Sequence, residues 1–405
     1  MLRIRMQGVF LVFLAFSMLS CGRGDPAERW WKGNTHTHTL WSDGDAAPEK
    51  VADWYVAHGY DFLVLSDHNV LSEGTRWFPV TEEGEGRLTH SDVDSLRRRF
   101  GEEWVETRRS QGGLEMRLKT LQELRERFKS PGDFLFIQGE ELTDAFDGAP
   151  VHLNGLNLEE RIPPQGGDSV TETLQNNVDA VNAQGKRTGR EVLAHVNHPN
   201  FGWALSPVDV AAVKGARFFE VYNGHPAVNN HGDEEHPDTG RIWDIALTLR
   251  LTELDLGLLY GLATDDAHHY SQWGPGHANP GRGWVMVRAR GLDPAALIRA
   301  LQAGDFYSSS GVVLEDVRRR GEDIVVEVAA EPGVTYTTCF IGTRRRGEHT
   351  GPVGEVLKES TGERAVYRFR GDELYVRAEI VSSRPHPNPH AEGDLERAWV
   401  QPVLP

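Results

Sequence analysis

The chain of 405 residues lacks features that define several common classes of protein. Its two cysteines are too few for a disulfide scaffold or a cysteine-based zinc site. It has 43 basic against 60 acidic residues, a formal charge of −17, so it lacks the basic surface that non-specific nucleic-acid binding needs. The apolar run Val9–Leu19 is shorter than the roughly 20 residues that cross a bilayer as a helix. With 39% hydrophobic residues, the chain is predicted to be globular.

The N-terminus has the pattern of a targeting signal. Arg3 and Arg5 precede the apolar run, and small residues follow it, which is typical of a secretory signal peptide. The segment from Met18 to Cys21 resembles a bacterial lipobox, with Met18 where leucine is usual. We therefore predict a signal over residues 1–21, lipidation of Cys21 and an extracytoplasmic, membrane-anchored protein. Secretion without an anchor is the alternative.

Residues 30–310 alternate short apolar runs with amphipathic segments, which predicts a parallel sheet, either open or closed into a barrel. Helices are predicted at Pro48–His58, Asp168–Gly185 and Asp293–Gly304, and along a stripe of Leu114, Leu118 and Leu121 that ends near Pro131. The predicted strands are Trp31–Asn34, Phe62–Ser66, Phe134–Gln138, Val151–Leu156, Val192–Val196, Phe218–Tyr222, Leu258–Thr264 and Gly283–Val287.

Two segments differ from this alternation. Residues 72–113 are charged and without strand character, so we expect an insertion on the outside of the domain. Residues 311–405 contain β-rich runs separated by Gly, Pro and charged turns, which predicts a small antiparallel sandwich. Its predicted strands are Ile324–Val328, Tyr336–Ile341, Ala365–Phe369, Leu374–Val381 and Ala398–Val403.

Possible metal ligands lie at or near the ends of six predicted strands. Strand ends on one side of a sheet are where barrel and doubly wound enzymes assemble their sites. His36 and His38 can share a face because residues i and i+2 of a strand point the same way. The candidates are His36, His38 and Asp43; Asp67 and His68; Glu140 and Glu141; His152; His195 and His198; and Asp265, Asp266 and His268.

These residue types select the metal. Imidazoles and carboxylates without thiolates suit Zn²⁺, Mn²⁺ or Fe, and the set is too rich in nitrogen for a dedicated Ca²⁺ site. About nine ligands exceed what one ion uses, so we predict two or three divalent ions. Clustered cations bind anionic substrates and lower the pKa of a bridging water to about 7.

The order of these motifs resembles the PHP (polymerase and histidinol phosphatase) superfamily, from about Lys32 to Ser310. The resemblance implies a distorted (β/α)7 barrel with a trinuclear site that hydrolyses phosphoesters. The Gly-x-Glu, His-Pro and Asp-x-His spacings then favour Glu141, His198 and Asp266 over their neighbours. The implied ligands are His36, His38, Asp43, His68, Glu141, His152, His198, Asp266 and His268.

Further roles are expected for two residues and one loop around these ligands. Asp67 is expected to orient an imidazole from outside the ligand set. Arg282 could clamp a phosphate oxygen, with a structural salt bridge as the alternative. The cluster from His231 to His236 is interpreted as a solvated loop beside the site.

The sequence therefore predicts an extracytoplasmic metal-dependent phosphoesterase that uses a metal-bridged hydroxide on phosphate mono- or diesters. We expect a small phosphorylated substrate, a membrane contact through the lipid anchor alone and no stable nucleic-acid partner. The oligomeric state, the substrate and the role of the sandwich stay open. The alternatives are a metal-dependent amidohydrolase on a similar barrel and a non-catalytic cell-surface binding protein.

Overall fold

The computed structural model describes residues 28–129, 134–347 and 349–405. The predicted signal and Cys21, the predicted site of lipidation, lie outside the described residues. Within those ranges, we find no helix that combines the length and the apolar character needed to cross a membrane. The described chain is a mixed α/β protein with seven α-helices and a large sheet.

All eight strands predicted up to residue 310 are present, together with strands and helices that were not predicted. Up to residue 310 the strands are β1 (Arg29–Asn34), β2 (Phe62–Leu65), β3 (Trp77–Pro79), β4 (Thr107–Ser110), β5 (Gly113–Arg117), β6 (Leu135–Phe146), β7 (Ala149–Leu156), β8 (Leu193–Val196), β9 (Phe218–Asn223), β10 (Tyr260–Thr264), β11 (Trp284–Ala289) and β12 (Phe306–Ser309). The helices are α1 (Pro48–Ala57), α2 (His90–Phe100), α3 (Leu121–Arg127), α4 (Val170–Thr188), α5 (Pro207–Ala212), α6 (Thr239–Leu249) and α7 (Pro294–Ala303). A π-helical turn, Arg250–Leu254, continues α6.

Local sequence sets the ends of the helices. Ser169 precedes α4 and accepts a hydrogen bond from the backbone N–H of Glu172, as an N-cap does. Gly189 ends the helix with a φ of 71°, a conformation that glycine adopts at little cost. The same signals bound α7, which begins after Asp293 and ends at Gly304.

The long sheet has fourteen strands, and seven of them form an arc in the order β10-β9-β8-β7-β6-β2-β1. The two end strands of this arc meet beyond their last residues at a parallel bridge between Thr37 and Ala267. There the N–H of His38 donates to the carbonyl of Ala267 at 3.0 Å, and the N–H of Asp266 donates to the carbonyl of His36 at 3.0 Å. This bridge brings the ends of β1 and β10 to one place.

The prediction of a parallel sheet is wrong at β11, which runs antiparallel to β1, and at β7, which runs antiparallel to both β6 and β8. Asp147 and Gly148 join β6 to β7 in a tight turn, and both have positive φ, 48° and 82°. Asp-Gly is a favoured pair for such hairpins, which leave no room for a crossover helix. The strand that carries His152 is therefore reversed relative to its neighbours.

The segment predicted to lack strands contains a small sheet. Strands β3, β4 and β5 pair in the order β3-β5-β4 beside α2, and Leu114 lies in β5 rather than in a helix. Leu114, Met116 and Leu118 contribute to one apolar cluster, so their spacing of two is that of a strand. The helical stripe was wrong at its start because a spacing of four, as between Leu114 and Leu118, fits both the helical and the strand period.

After residue 310 the chain is antiparallel β-structure, as predicted. Strands β13 (Leu314–Arg320), β14 (Asp323–Val328), β15 (Tyr336–Arg346), β16 (His349–Thr350), β17 (Glu355–Thr361), β18 (Arg364–Arg368), β19 (Glu373–Pro385) and β20 (Leu395–Val403) follow. The sheet β13-β14-β18 shares an apolar core with β15, β19 and β20 of the long sheet. Strand β12 pairs with β20, so the long sheet continues from the first part of the chain into the second. Strands β13 and β17 were not predicted, because they are rich in charged residues.

A buried ion pair joins the two parts of the chain. Arg377 of β19 donates to Asp244 of α6 through Nε at 2.8 Å and Nη2 at 2.7 Å. The Tyr375 hydroxyl donates to the same carboxylate at 2.8 Å. Both charged side chains are almost completely buried, so this contact fixes β19 against α6.

Candidate metal centre

Two histidines lie close together just after the C-terminal end of β1. His36 and His38 follow the strand, and both side chains are completely buried. Asn34 accepts the backbone N–H of His36 at 2.9 Å, and the bridge to Ala267 holds the next residues. The spacing of two predicted from sequence therefore places both imidazoles beside the same carboxylate.

That carboxylate belongs to Glu141, which lies in the middle of β6 and is almost completely buried. Its Oε2 lies 3.3 Å from Nε2 of both His36 and His38. The other imidazoles within 3.2 Å of its oxygens are His68 (2.9 Å), His152 (3.1 Å) and His198 (3.2 Å). Five histidines from different parts of the chain thus surround one carboxylate.

The reversed strand explains how His152 reaches the centre. In β7 it lies directly opposite Thr143 of β6, near the start of its strand. Because β7 runs antiparallel, the beginning of this strand lies at the same edge as the ends of the parallel strands. His198 arrives from the segment after β8, where its N–H donates to Glu220 at 2.8 Å.

A second part of the cluster is built around Asp43. Its two oxygens lie 3.4 Å from Nε2 of His68 and 3.3 Å from Nε2 of His268. Asp266 stands between the two parts, since its Oδ1 lies 3.3 Å from His36 and 3.1 Å from His38. Asp43 is about half exposed (54%), so this side of the cluster opens to solvent.

All nine predicted ligands thus meet at one site. Eight of them form three groups whose ligand atoms lie within 4.8 Å of one another, and Asp266 adjoins the first two groups. The groups are His38, Asp43, His68 and His268; His36, His38 and Glu141; and Glu141, His152 and His198.

The hydrogen bonds around two histidines leave a free lone pair directed at the cluster. Nδ1 of His36 lies 2.7 Å from Glu220, and Nδ1 of His268 lies 2.8 Å from the carbonyl of Asp266. An acceptor at Nδ1 keeps the ring proton on that nitrogen. Nε2 of each ring is then unprotonated and can bind a metal. Within the described ranges, Nε2 of His36 and of His38 and Oε2 of Glu141 are buried without a hydrogen-bond partner.

The electrostatics of the site match this geometry. Burial alone would raise the pKa of Glu141, but the surrounding histidines, His68 and His36 foremost, hold it well below the usual value. The pKa of Asp266 is likewise held well below its usual range by His36 and His38, against the effect of burial. Burial opposes charge on His68, yet Glu141 and Asp43 raise its pKa to about 11. These carboxylates attract positive charge, which protons or metal cations can supply.

The alternative ligands left open by the sequence lie elsewhere. Glu140 accepts the backbone N–H of Ile162 at 2.5 Å. Asp265 accepts the backbone N–H groups of Arg282 and Gly283 and the hydroxyl of Tyr55. His195 lies 3.9 Å from Glu220 and belongs to none of the three groups.

Two residues near the ligands have other contacts than predicted. Asp67 accepts hydrogen bonds from Thr39 and Ser42, and Ser42 in turn lies 3.4 Å from His38 Nδ1, so its contact with an imidazole is indirect. Arg282 is completely buried, and all its guanidinium hydrogen bonds go to oxygens of the protein. The acceptors are the carbonyls of Gly224, Gly274, His277 and Asn388 and the Asn388 side chain. The phosphate-clamp prediction for Arg282 is therefore wrong, because this fork of donors is occupied.

The sequence did not predict the roles of three residues at the site. His225 and Phe201 line the cavity beside His198 and His268. The role of Glu220 as acceptor for His36 was not predicted either. His225 follows β9 by two residues, the same spacing as other site residues after their strands, and this position was the available signal.

No family model matches the chain. No curated protein matches it either. Among solved structures, the chain is similar to a two-domain protein containing a predicted PHP-like metal-dependent phosphoesterase from Bacteroides vulgatus ATCC 8482. The identity is 15%, the TM-score is 0.41, and the match covers 92% of this chain and 95% of the other. Similarity at this level does not carry a function from one protein to the other.

Proposed function

We propose that this protein is a metal-dependent phosphoesterase that hydrolyses small phosphate mono- or diesters. The observation that carries this proposal is that three potential ligand atoms, which belong to His36, His38 and Glu141, lie together, buried and without hydrogen-bond partners in the described chain. Leaving such atoms unpaired costs about 1–3 kcal/mol each, which a bound cation would offset. We further propose that the seven-stranded arc is a distorted barrel of the PHP type, closed at the Thr37–Ala267 bridge.

The ligands suit two or three divalent ions of zinc, manganese or iron. His36, His38, Glu141 and Asp266 would hold one pair of ions, and Asp43, His68, His152, His198 and His268 would complete the set. When bound, such ions activate water at neutral pH and neutralise charge on phosphoryl oxygens.

Residues beside the ligands would orient the substrate. Nδ1 of His225 accepts the backbone N–H of Ala227 at 3.2 Å, so the proton of the neutral ring resides on Nε2. Burial lowers the pKa of His225 to about 4, which keeps the ring neutral near pH 7. An N–H donor on the cavity wall can bind a phosphoryl oxygen. Phe201 supplies an apolar wall next to it.

The location of the enzyme belongs to the same proposal. A signal over residues 1–21 with lipidation of Cys21 would place the enzyme outside the cytoplasm at a membrane surface. The charge of −17 favours small substrates over long nucleic acids, because like charges repel.

Elemental mass spectrometry of the full-length protein, with assays on p-nitrophenyl phosphate and bis(p-nitrophenyl) phosphate, tests the activity. We expect two to three equivalents of metal and cleavage of at least one substrate. His38→Ala should lose bound metal and reduce kcat/KM at least about 100-fold, since loss of even an indirect partner costs 10–100-fold. His90→Ala is the matched control, because His90 is exposed at the start of α2.

Two results would contradict the proposal. Undiminished hydrolysis by His38→Ala would place the chemistry elsewhere. A metal-loaded protein that cleaves an amide substrate but neither phosphoester would instead identify an amidohydrolase.

A further inference from the structure

A second group of metal-ligand side chains lies where the two parts of the chain meet. His231 lies in the loop between β9 and α6, while His390 and Asp394 lie in the loop between β19 and β20. One ligand atom from each of the three lies within 4.8 Å of the others. Nε2 of His231 and Oδ1 of Asp394 are 3.0 Å apart. None of the three residues belongs to the nine-residue centre.

The hydrogen bonding of His390 prepares it to bind a cation. Its Nε2 lies 3.2 Å from the carbonyl oxygen of His225, which can only accept, so the ring proton is on Nε2. Nδ1 then carries a free lone pair. Among the described residues Nδ1 has no hydrogen-bond partner, although it is buried. A histidine fixed by a carbonyl at one nitrogen and free at the other is the usual arrangement of a metal ligand.

Asp394 is held in place by its own loop. Its Oδ2 accepts the backbone N–H of Ala391 at 2.9 Å, and its carbonyl accepts the N–H of His386 at 2.8 Å. The second oxygen, Oδ1, is thereby directed at His231. A simple ion pair between His231 and Asp394 would account for that contact, but it leaves the buried Nδ1 of His390 without a partner.

We propose that His231, His390 and Asp394 bind a divalent cation, for which zinc is the best match. Two imidazoles, one carboxylate and a water make a common tetrahedral zinc site. The cation would hold the β9–α6 loop against the β19–β20 loop. Through the contact of His390 with the carbonyl of His225, it would also support a wall of the main cavity. This site does not depend on the proposed activity.

Zinc content after equilibrium dialysis of the full-length protein tests this site. His231→Gln is the main variant because the His231 side chain is more than half exposed (55%) and its loss cannot empty the core. His236→Gln is the matched control, since His236 lies in the same loop and also contacts a carboxylate, that of Asp233 at 2.8 Å. We expect His231→Gln to bind one equivalent of zinc less than the wild type, and His236→Gln to match the wild type.

Equal zinc content in all three proteins would overturn the proposal. The comparison is a difference between variants, so it stands even if the nine-residue centre binds no metal or lacks phosphoesterase activity. Hydrogen exchange gives a second measurement. Zinc should slow exchange at residues 224–238 and 386–395 in the wild type and in His236→Gln, and the slowing should be absent in His231→Gln. Zinc-independent exchange at both loops in the wild type would also overturn it.

Discussion

Two regions of this molecule contain buried charged side chains, and these side chains differ in their hydrogen-bond partners. At the strand ends, Glu141 and its histidines meet with several ligand atoms unpartnered within the described ranges. At the junction with the C-terminal sheet, Arg282 and the Arg377–Asp244 pair direct their charge at oxygens of the protein itself. Among the described residues the second region also contains unpartnered atoms, such as Nη1 of Arg377, but its charged groups pair with each other or with carbonyl oxygens, whereas the first region gathers unpartnered atoms of three metal-ligand side chains at one point. Because buried polar atoms are normally paired, the first region is organised for a ligand and the second for stability. A candidate binding site therefore differs from a structural polar core in whether its buried charged groups find hydrogen-bond partners within the protein.

The largest effect is expected where the structural region is broken. Asp244→Asn should leave the buried guanidinium of Arg377 without its counter-charge and lower the free energy of unfolding by about 3–5 kcal/mol. Denaturant unfolding measures this, and metal content should stay at the wild-type level in the folded protein. Asp323→Asn, which breaks an exposed pair with Arg368, is the control and should cost at most about 1 kcal/mol. A loss below 1 kcal/mol for Asp244→Asn would contradict the structural assignment.

An unpartnered atom alone does not make a site, and Glu49 sharpens this point. Burial raises its pKa to about 7. Its Oε1 accepts the indole N–H of Trp104, and within the described chain its Oε2 has no hydrogen-bond partner. Between pH 4.5 and about 7 the folded state therefore binds a proton at Glu49 that the unfolded state does not bind. Glu49 does not reduce the free energy of unfolding below pH 4.5, and that free energy falls as the pH rises from 4.5 through about 7. Glu49→Gln should remove this dependence and raise the free energy of unfolding at pH 8 by up to about 3 kcal/mol.

Denaturant unfolding at pH 5 and pH 8 measures the effect of Glu49→Gln. Glu103→Gln, on an exposed loop, is the control and should keep the wild-type dependence on pH. If Glu49→Gln and the wild type lose stability in parallel between these two values, the carboxyl of Glu49 is not the group responsible.

Arg282 tests the boundary between the two regions. Arg282→Lys keeps the charge but cannot reach all the carbonyls, so at least two hydrogen bonds are lost at about 1 kcal/mol each. We expect a loss of about 2 kcal/mol in unfolding free energy with KM for p-nitrophenyl phosphate unchanged. A large rise in KM without loss of stability would restore the phosphate-clamp prediction.

Much of the fold could be predicted from the sequence because each signal was local. Apolar runs predicted eight strands of the first 310 residues, and helix signals predicted α1, α4 and α7 to within a few positions. Strands β3, β4, β5 and β12 and helices α2, α5 and α6 were not predicted. The reversal of β7 depends on a two-residue turn at Asp147-Gly148, and the alternation of strands and helices does not reveal it. The charged strands β13 and β17 lack the apolar character by which strands are recognised.

The candidate site shows the same limit. Sequence placed possible ligands at strand ends, because the spacing of residues such as His36 and His38 is a local property. It could not predict where hydrogen bonds from distant segments end, as at Arg282, whose acceptors include a carbonyl 106 residues away. Nor could it predict that Glu220 holds His36, since the two are 184 residues apart.

Glu220 gives the smallest and most specific test of the comparison, because it supports the ligands without belonging to them. One oxygen accepts from His36 at 2.7 Å, and the other accepts the N–H of His198 at 2.8 Å. In Glu220→Gln, either orientation of the amide sets its NH₂ against one of these donors, so the imidazole or the backbone shifts. We expect metal affinity to fall about tenfold, equivalent to about 1.4 kcal/mol, with the fold intact.

Isothermal titration of the metal-free protein with zinc measures the effect of Glu220→Gln. Glu140→Gln is the matched control, since Glu140 is equally buried on β6 but directs its carboxyl at Ile162, where a side-chain amide oxygen can still accept. If both variants lose affinity equally, general disturbance of buried carboxyls explains the result. If Glu220→Gln alone loses affinity, the hydrogen bond that fixes the His36 ring prepares this region for a metal. The contrast with Arg282 and the Arg377–Asp244 pair, whose charges bind oxygens of the protein, then depends on which nitrogen of His36 carries the proton.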